Sequence, residues 1–178
     1  MSRGLGDVYK RQKENIRLKG ILPKNFARPE LDKRRLGDVV DLFTNIQMKE
    51  HGDSKDILGR TYEYCLSKFA EAEGKLAGEF YTPACIVRTL VEVLQPYSGR
   101  VYDPACGSGS LLLKAEKILG KDAIRNGFYG QEINITTYNL CRINMFLHDV
   151  GFDKFNIACE DTLLSPQHWD NEPFELMW

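Results

Sequence analysis

The chain has no apolar run near the ~20 residues that a bilayer span requires, and no charged-then-apolar opening of the kind that marks a secretory signal. It has no Cys-x-x-Cys pair among its five cysteines, Cys65, Cys85, Cys106, Cys141 and Cys159. That absence argues against a zinc site, and no metal is expected. An odd cysteine count without a secretory pattern fits a reducing, cytoplasmic compartment. There is no internal repeat and no low-complexity tract. The formal net charge is only -1, so composition carries no global nucleic-acid signal.

Charge is nevertheless uneven. Of the 24 Lys and Arg, 11 lie in residues 1–40, against 5 of the 25 Asp and Glu. A basic N-terminal segment of this kind suits a solvated surface, with contact to nucleic acid as the alternative. The 178 residues suffice for one α/β core with a small helical annex. Residues 1–12 show neither helical nor strand periodicity and read as a non-native or disordered leader. Residues 13–77 read as a helical region, with Asn15 to Arg35 as loop and a helix starting near Pro29. Leu36, Val39, Val40, Leu42, Phe43 and Ile46 then recur at three and four, the spacing of one helix. A second helix has Ser54 or Asp56 as its cap and Ile57, Leu58, Thr61, Tyr62, Cys65, Leu66, Phe69 and Ala70 on one face, and ends at Gly74.

The informative stretch is Val101 to Gly109, Val-Tyr-Asp-Pro-Ala-Cys-Gly-Ser-Gly. A short apolar strand ends in Asp103. A turn with Gly107 and Gly109 follows, and an amphipathic helix runs from Leu111 to Leu119. Strand, glycine turn and helix open a nucleotide-binding α/β unit, because the glycines let backbone approach a ligand and the helix start offers free N–H groups. The third glycine of a dinucleotide fingerprint is replaced by Leu112, which argues against NAD. An acid at the strand end also suits a cationic amine better than a pyrophosphate. The bland alternative is an ordinary βα turn.

The rest of the chain bears on that choice. Thr82 and Pro83 read as an N-cap and first helical residue, leading a helix with Ile86, Val87, Leu90, Val91 and Leu94 on one face. A second strand, Phe128 to Ile133, carries Glu132 at its end. Glu132 lies 23 residues after Gly109, near the spacing at which an acid binds ribose hydroxyls. A helix from Thr136 to Leu147 and a strand from Phe155 to Cys159 follow, then Glu160 and Asp161. Asp103, Glu132 and Asp161 should converge where ligands bind, at the carboxyl ends of the strands. Phe174 to Trp178 reads as the start of a fourth strand. The expected fold is α/β, a Rossmann-like sheet truncated after the start of that strand and preceded by a small α-helical region.

Four stretches together resemble one family. Gly78-Glu79-Phe80-Tyr81-Thr82-Pro83 resembles motif X of the S-adenosylmethionine-dependent amino-methyltransferases. Asp103 to Gly109 resembles motif I, Gly130-Gln131-Glu132-Ile133 motif II, and Glu160-Asp161-Thr162-Leu163 motif III. Their order is that of the γ class. The likeness is closest to the modification subunit of prokaryotic type I restriction-modification systems, an adenine-N6 DNA methyltransferase. Leu22 to Gly37, and Asp56 to Tyr64 with Phe69-Ala70-Glu71, also resemble that subunit. The resemblance spans about residues 20–178 and places the methyltransferase domain at 78–178.

The resemblance implies S-adenosyl-L-methionine as cofactor. Asp103 and the backbone of Ala105, Cys106, Gly107, Ser108 and Gly109 would hold its methionine part. Glu132 would take the ribose, Ile133 would pack on the adenine, and Asp161 would read its amine. Glu79, Phe80, Tyr81, Thr82 and Pro83 would line the same pocket. Cys106 lacks a nearby His and reads as a small turn residue rather than a nucleophile. The implied partners are DNA, a specificity subunit and a restriction subunit.

Chemistry in that family needs Asn-Pro-Pro followed by Phe or Tyr after the fourth strand, where the flipped adenine is held. The expectation is therefore a fragment that lacks its catalytic motif and is inactive alone. The alternatives are another class I methyltransferase, acting on RNA or protein, and a non-catalytic fragment that binds cofactor or a partner.

Overall fold

The computed structural model describes residues 29–45, 54–74, 81–95, 99–120, 127–151, 153–169, 173–174 and 176–177. The leader expected at 1–12 and the candidate residues Glu79 and Phe80 lie outside them. The elements in chain order are α1 (Lys33–Asn45), α2 (Ser54–Glu73), α3 (Ala84–Leu94), β1 (Val101–Asp103), α4 (Ser110–Leu119), β2 (Phe128–Gln131), α5 (Ile135–Leu147), β3 (Phe155–Ala158) and β4 (Leu176–Met177). Two compact units divide at Ile57 and Leu58. Most of α2 thus belongs with the sheet, whereas the sequence grouped it with the helical region up to residue 77. No helix among the described residues is long and apolar enough to cross a membrane.

In the first unit, α1 has the expected helical spacing, but Val39, Val40 and Leu42 are exposed. In the second unit, Leu66 and Ala70 of α2 are buried, while Phe69, expected on the same face, is exposed. Gly74 ends α2 with φ +65°, the left-handed turn that halts a helix.

The sheet is parallel, in the order β3-β2-β1-β4. This is the order of a doubly wound sheet, in which the chain works outward from β1 in both directions. Register sets the two faces. Val101, Phe128 and Phe155 align across β1, β2 and β3. They join Leu112 and Leu113 of α4, and Cys141 and Met145 of α5, in the main core. Side chains alternate along a strand, so Tyr102 and Tyr129 project from the opposite face. There Phe174 stacks on Tyr102 at 4.8 Å between ring centres, and the Arg100 guanidinium lies 4.4 Å from the Tyr129 ring. Gln131 accepts from the Tyr102 hydroxyl (3.0 Å) and the Gln167 N–H (2.8 Å), and donates to the Ser165 carbonyl (3.2 Å). Irregular chain at residues 165–168, together with Phe174, therefore packs on the face that a helix usually covers in such folds.

Helix starts follow local chemistry, with one correction. Asn134 caps α5, its side chain accepting from Thr136 N (2.9 Å) and Thr137 N (3.3 Å), which is standard N-cap bonding. For α3 the sequence reading set Thr82 as cap and Pro83 as first helical residue. Pro83 is instead the cap, with ψ 137° and no side-chain cap bond. Its extended backbone keeps it out of the helix, and its carbonyl takes the first bonds, from Ile86 N and Val87 N.

Candidate functional site

The carboxyl ends of β1, β2 and β3 bring the acidic residues expected from sequence to one end of the sheet. Asp103 closes β1 and is 3% exposed. One carboxyl oxygen accepts from Ala105 N at 3.0 Å; the other, Oδ2, is buried and has no hydrogen-bond partner among the described residues. Burial pushes the carboxyl up to about 6, opposed by the Ala105 hydrogen bond and reinforced by the nearby Glu132 charge. A buried carboxylate oxygen without a donor is costly. A cationic amine placed beside it would satisfy it.

The glycine turn is built by its backbone. Gly107 and Gly109 have φ +53° and +78°, conformations that favour glycine. A Cβ on Gly109 would meet Cys141 Sγ at 2.8 Å and Met145 Cε at 2.9 Å. The turn therefore lies directly on α5. Gly109 N donates to the Cys106 carbonyl at 2.7 Å, and Gly109 is the N-cap of α4. The first N–H groups of α4 lack intrahelical acceptors and face the turn.

Distant residues fix the turn in place. Glu132, 8% exposed, accepts from Gly107 N at 3.2 Å through Oε2 and from Asn134 N at 2.8 Å through Oε1. A carboxylate has about four acceptor positions, so these two bonds leave room for hydroxyl donors. Cys106 N donates to the Gln131 carbonyl at 2.9 Å. The Cys106 thiol is buried; its hydrogen bond with Cys141, and then burial, push it far up, so it stays protonated. The Ser108 hydroxyl pairs with that of Ser110 at 2.9 Å.

The remaining candidates are spread around this centre. Ile133 is 68% exposed beyond β2, an apolar surface free to lie against a flat ring. Asp161 uses Oδ1 to accept from Leu163 N (2.8 Å) and Leu164 N (3.2 Å), which shapes the turn after β3. Thr162 ties that turn to motif I, its hydroxyl donating to the Pro104 carbonyl. Tyr81 and Thr82 line a cavity bounded by α2, α3 and α4, beside Ser110, and Pro83 is exposed. Among the described residues no cluster of three His, Cys, Asp or Glu could hold a metal.

Sequence reasoning missed the supports. Asn144 of α5 is fully buried and donates from Nδ2 to the Ser108 carbonyl at 3.0 Å. Its only signal was an amide on an otherwise apolar helical face. Gln131, fully buried at the end of β2, was read only as a strand and motif II position, with no role of its own.

Comparison with known proteins accords with this geometry. The sequence profile of the N-6 DNA Methylase family matches residues 53–177. The chain is 39% identical over 174 residues to the type I restriction enzyme HindI methylase subunit of Haemophilus influenzae, covering 90% of this chain and 38% of that protein. It is 44% identical over 144 residues to the MpnII methylase subunit of Mycoplasma pneumoniae, covering 76% and 26%. Among solved structures, it is similar to the type I restriction-modification system methyltransferase subunit from Streptococcus thermophilus, with TM-score 0.75 and 25% identity, over 96% of this chain and 39% of that one. The chain thus spans well under half the length of these relatives. With the family profile matched over more than half of its length, and with the strand order and glycine turn described above, the chain belongs to the N-6 DNA methylase family.

Proposed function

We propose that the sheet unit is the S-adenosyl-L-methionine cradle of an adenine-N6 DNA methyltransferase, the modification subunit of a type I restriction-modification system. The observation that carries this reading is the buried Asp103 Oδ2 beside the glycine turn, without a hydrogen-bond partner among the described residues. Asp103 and the backbone of Ala105 to Gly109 hold the methionine part, whose amine supplies the missing partner. Glu132 takes the ribose hydroxyls and Ile133 packs on the adenine. Asp161 accepts from the adenine amine with the oxygen its own turn leaves unused. Tyr81, Thr82 and Pro83 close the site. The cofactor, when bound, supplies an electrophilic methyl group.

The working protein would be prokaryotic and cytoplasmic, acting on DNA alongside a specificity subunit and a restriction subunit. The 178 residues contain no Asn-Pro-Pro sequence, so this chain alone binds cofactor without transferring methyl groups. Thermal unfolding with and without S-adenosylmethionine tests the reading. Ligand at ~100 times its dissociation constant adds about 2.7 kcal/mol by mass action. Glu132→Ala should abolish that gain, and an unchanged ligand shift in the variant refutes the ribose assignment. A radiolabelled methyl-transfer assay on adenine-containing DNA should stay at background.

A further inference from the structure

The Ser108–Gly109 peptide of the glycine turn is tied at both of its polar groups. Its N–H, on Gly109, donates to the Cys106 carbonyl at 2.7 Å. Its carbonyl, on Ser108, accepts from Asn144 Nδ2 at 3.0 Å. The first bond lies within the turn; the second comes from α5, 36 residues along the chain. Other ties to the turn hold N–H groups. Ala105 N donates to Asp103, Cys106 N to the Gln131 carbonyl and Gly107 N to Glu132. Those acceptors lie at the ends of β1 and β2. Asn144 instead reaches in from a helix and holds a carbonyl.

A peptide plane beside a glycine turns over readily. Reversal of the Ser108–Gly109 plane changes ψ of Ser108 and φ of Gly109, and glycine accepts either sign of φ. Gly109 stands at φ +78°. The reversed plane would break the bond to Cys106 and swing the Ser108 carbonyl away from α5. The turn would then have a different backbone shape at the point where α4 begins. Asn144 opposes this, because its amide pairs with the carbonyl in one orientation only.

As packing, Asn144 is a poor choice. It is fully buried on the face of α5 that carries Thr137, Cys141 and Met145. Its Oδ1 has no hydrogen-bond partner among the described residues, and a buried acceptor without a donor destabilises a fold. A leucine branches at the same carbon and brings no polar atom. It would leave the Ser108 carbonyl unpaired but remove Oδ1, so one orphaned acceptor replaces another and stability changes little.

We propose that Asn144 is a positioning residue for the cofactor site: it selects the orientation of the Ser108–Gly109 peptide that the cofactor requires, and it serves binding rather than stability. This rests on the cofactor reading above and adds to it a residue that touches the turn alone.

The test compares Asn144→Leu with Asn144→Ala in the 178-residue chain. Both remove the amide donor, but only alanine leaves a cavity. Urea unfolding should place Asn144→Leu near the wild-type midpoint and Asn144→Ala below it. Calorimetric titration with S-adenosylmethionine should nevertheless show binding weakened about tenfold in both. An unpaired buried carbonyl disfavours the held orientation by about tenfold or more, and affinity falls with the fraction of molecules in the competent conformation. Hydrogen exchange at the Gly109 amide, read by NMR, should quicken about tenfold in both, since reversal opens its bond to Cys106. Where leucine proves too large for the chain to fold, Asn144→Ala carries the affinity and exchange readouts. Wild-type affinity in the variants overturns the proposal, as does an unchanged Gly109 exchange rate. So does affinity that follows stability, near normal with leucine and reduced with alanine, which marks Asn144 as packing alone. In each of those cases the wild-type chain still binds and the cofactor reading stands. If the wild-type chain takes up no S-adenosylmethionine, the cofactor reading falls and the role of Asn144 with it.

Discussion

Replacing Asp103 by Asn should make the unliganded protein more stable near neutral pH while removing its affinity for cofactor. The carboxyl is 3% exposed with one oxygen unpaired, and burial raises it from 3.8 to about 6. In the unfolded chain it ionises near its ordinary value. Between about pH 4 and 6 the unfolded state carries a carboxylate and the folded state still holds the proton. Stability therefore falls as pH rises through this window and stays low above it. The gap is about two units at about 1.36 kcal/mol each, or about 3 kcal/mol at pH 7.5. Asparagine cannot ionise and still accepts from Ala105 N. Its amide nitrogen is a buried donor in place of Oδ2, which costs about 1 to 2 kcal/mol. The net gain at pH 7.5 is about 1 to 2 kcal/mol. At pH 4 the wild-type acid is neutral, and the variant should be the less stable of the two. Urea unfolding resolves this, since a slope of about 2 kcal/mol per molar converts the gain into a midpoint rise of about 0.5 to 1 M. A midpoint lowered equally at both pH values refutes the reasoning, because the carboxyl would then be a well-satisfied structural group. In the same samples S-adenosylmethionine should no longer raise the midpoint of the variant.

Two further outcomes probe the turn and its neighbour. Gly109→Ala places a side chain at φ +78° and within 3 Å of Cys141 and Met145; a loss of about 2 to 4 kcal/mol in chemical denaturation is expected, and a loss below 1 kcal/mol would mean that α5 yields easily. Asn134→Ala removes the acceptor for Thr136 N and Thr137 N and should cost about 1 kcal/mol. Its cofactor affinity should fall less than that of Glu132→Ala, since Glu132 still holds Gly107; an equal fall would show that the start of α5 governs the site.

Much of the fold was legible because its signals are short-ranged. Asp103, Gly107 and Gly109 announce a strand end and a tight turn through backbone geometry alone. The strands and helices fall within a few residues of their periodic patterns. The misplaced cap at Thr82 shows the limit. Threonine before proline is a good helix start in isolation, but the extended backbone of Pro83 leaves the helix to begin at Ala84. Phe69 shows it too: helical spacing put it on the inner face, yet only packing decides which of several apolar stripes is covered, and Phe69 is exposed.

The sequence by itself determined the order of elements, the acid at the end of β1, the glycines that only a left-handed turn requires, and the second acid at ribose spacing. These follow from φ preferences, capping and the fixed rise of strands and helices, which need no distant partner. Only the tertiary structure decided which long-range bonds hold the turn: Glu132 to Gly107, Asn144 to the Ser108 carbonyl, Cys106 against Cys141. It alone decided that Asp103 Oδ2 is left buried without a partner among the described residues, and that Lys114 shares a cavity with Thr82 and Ser110. Such pairings join residues far apart in the chain. They depend on how closely packed elements meet, and no local pattern encodes that.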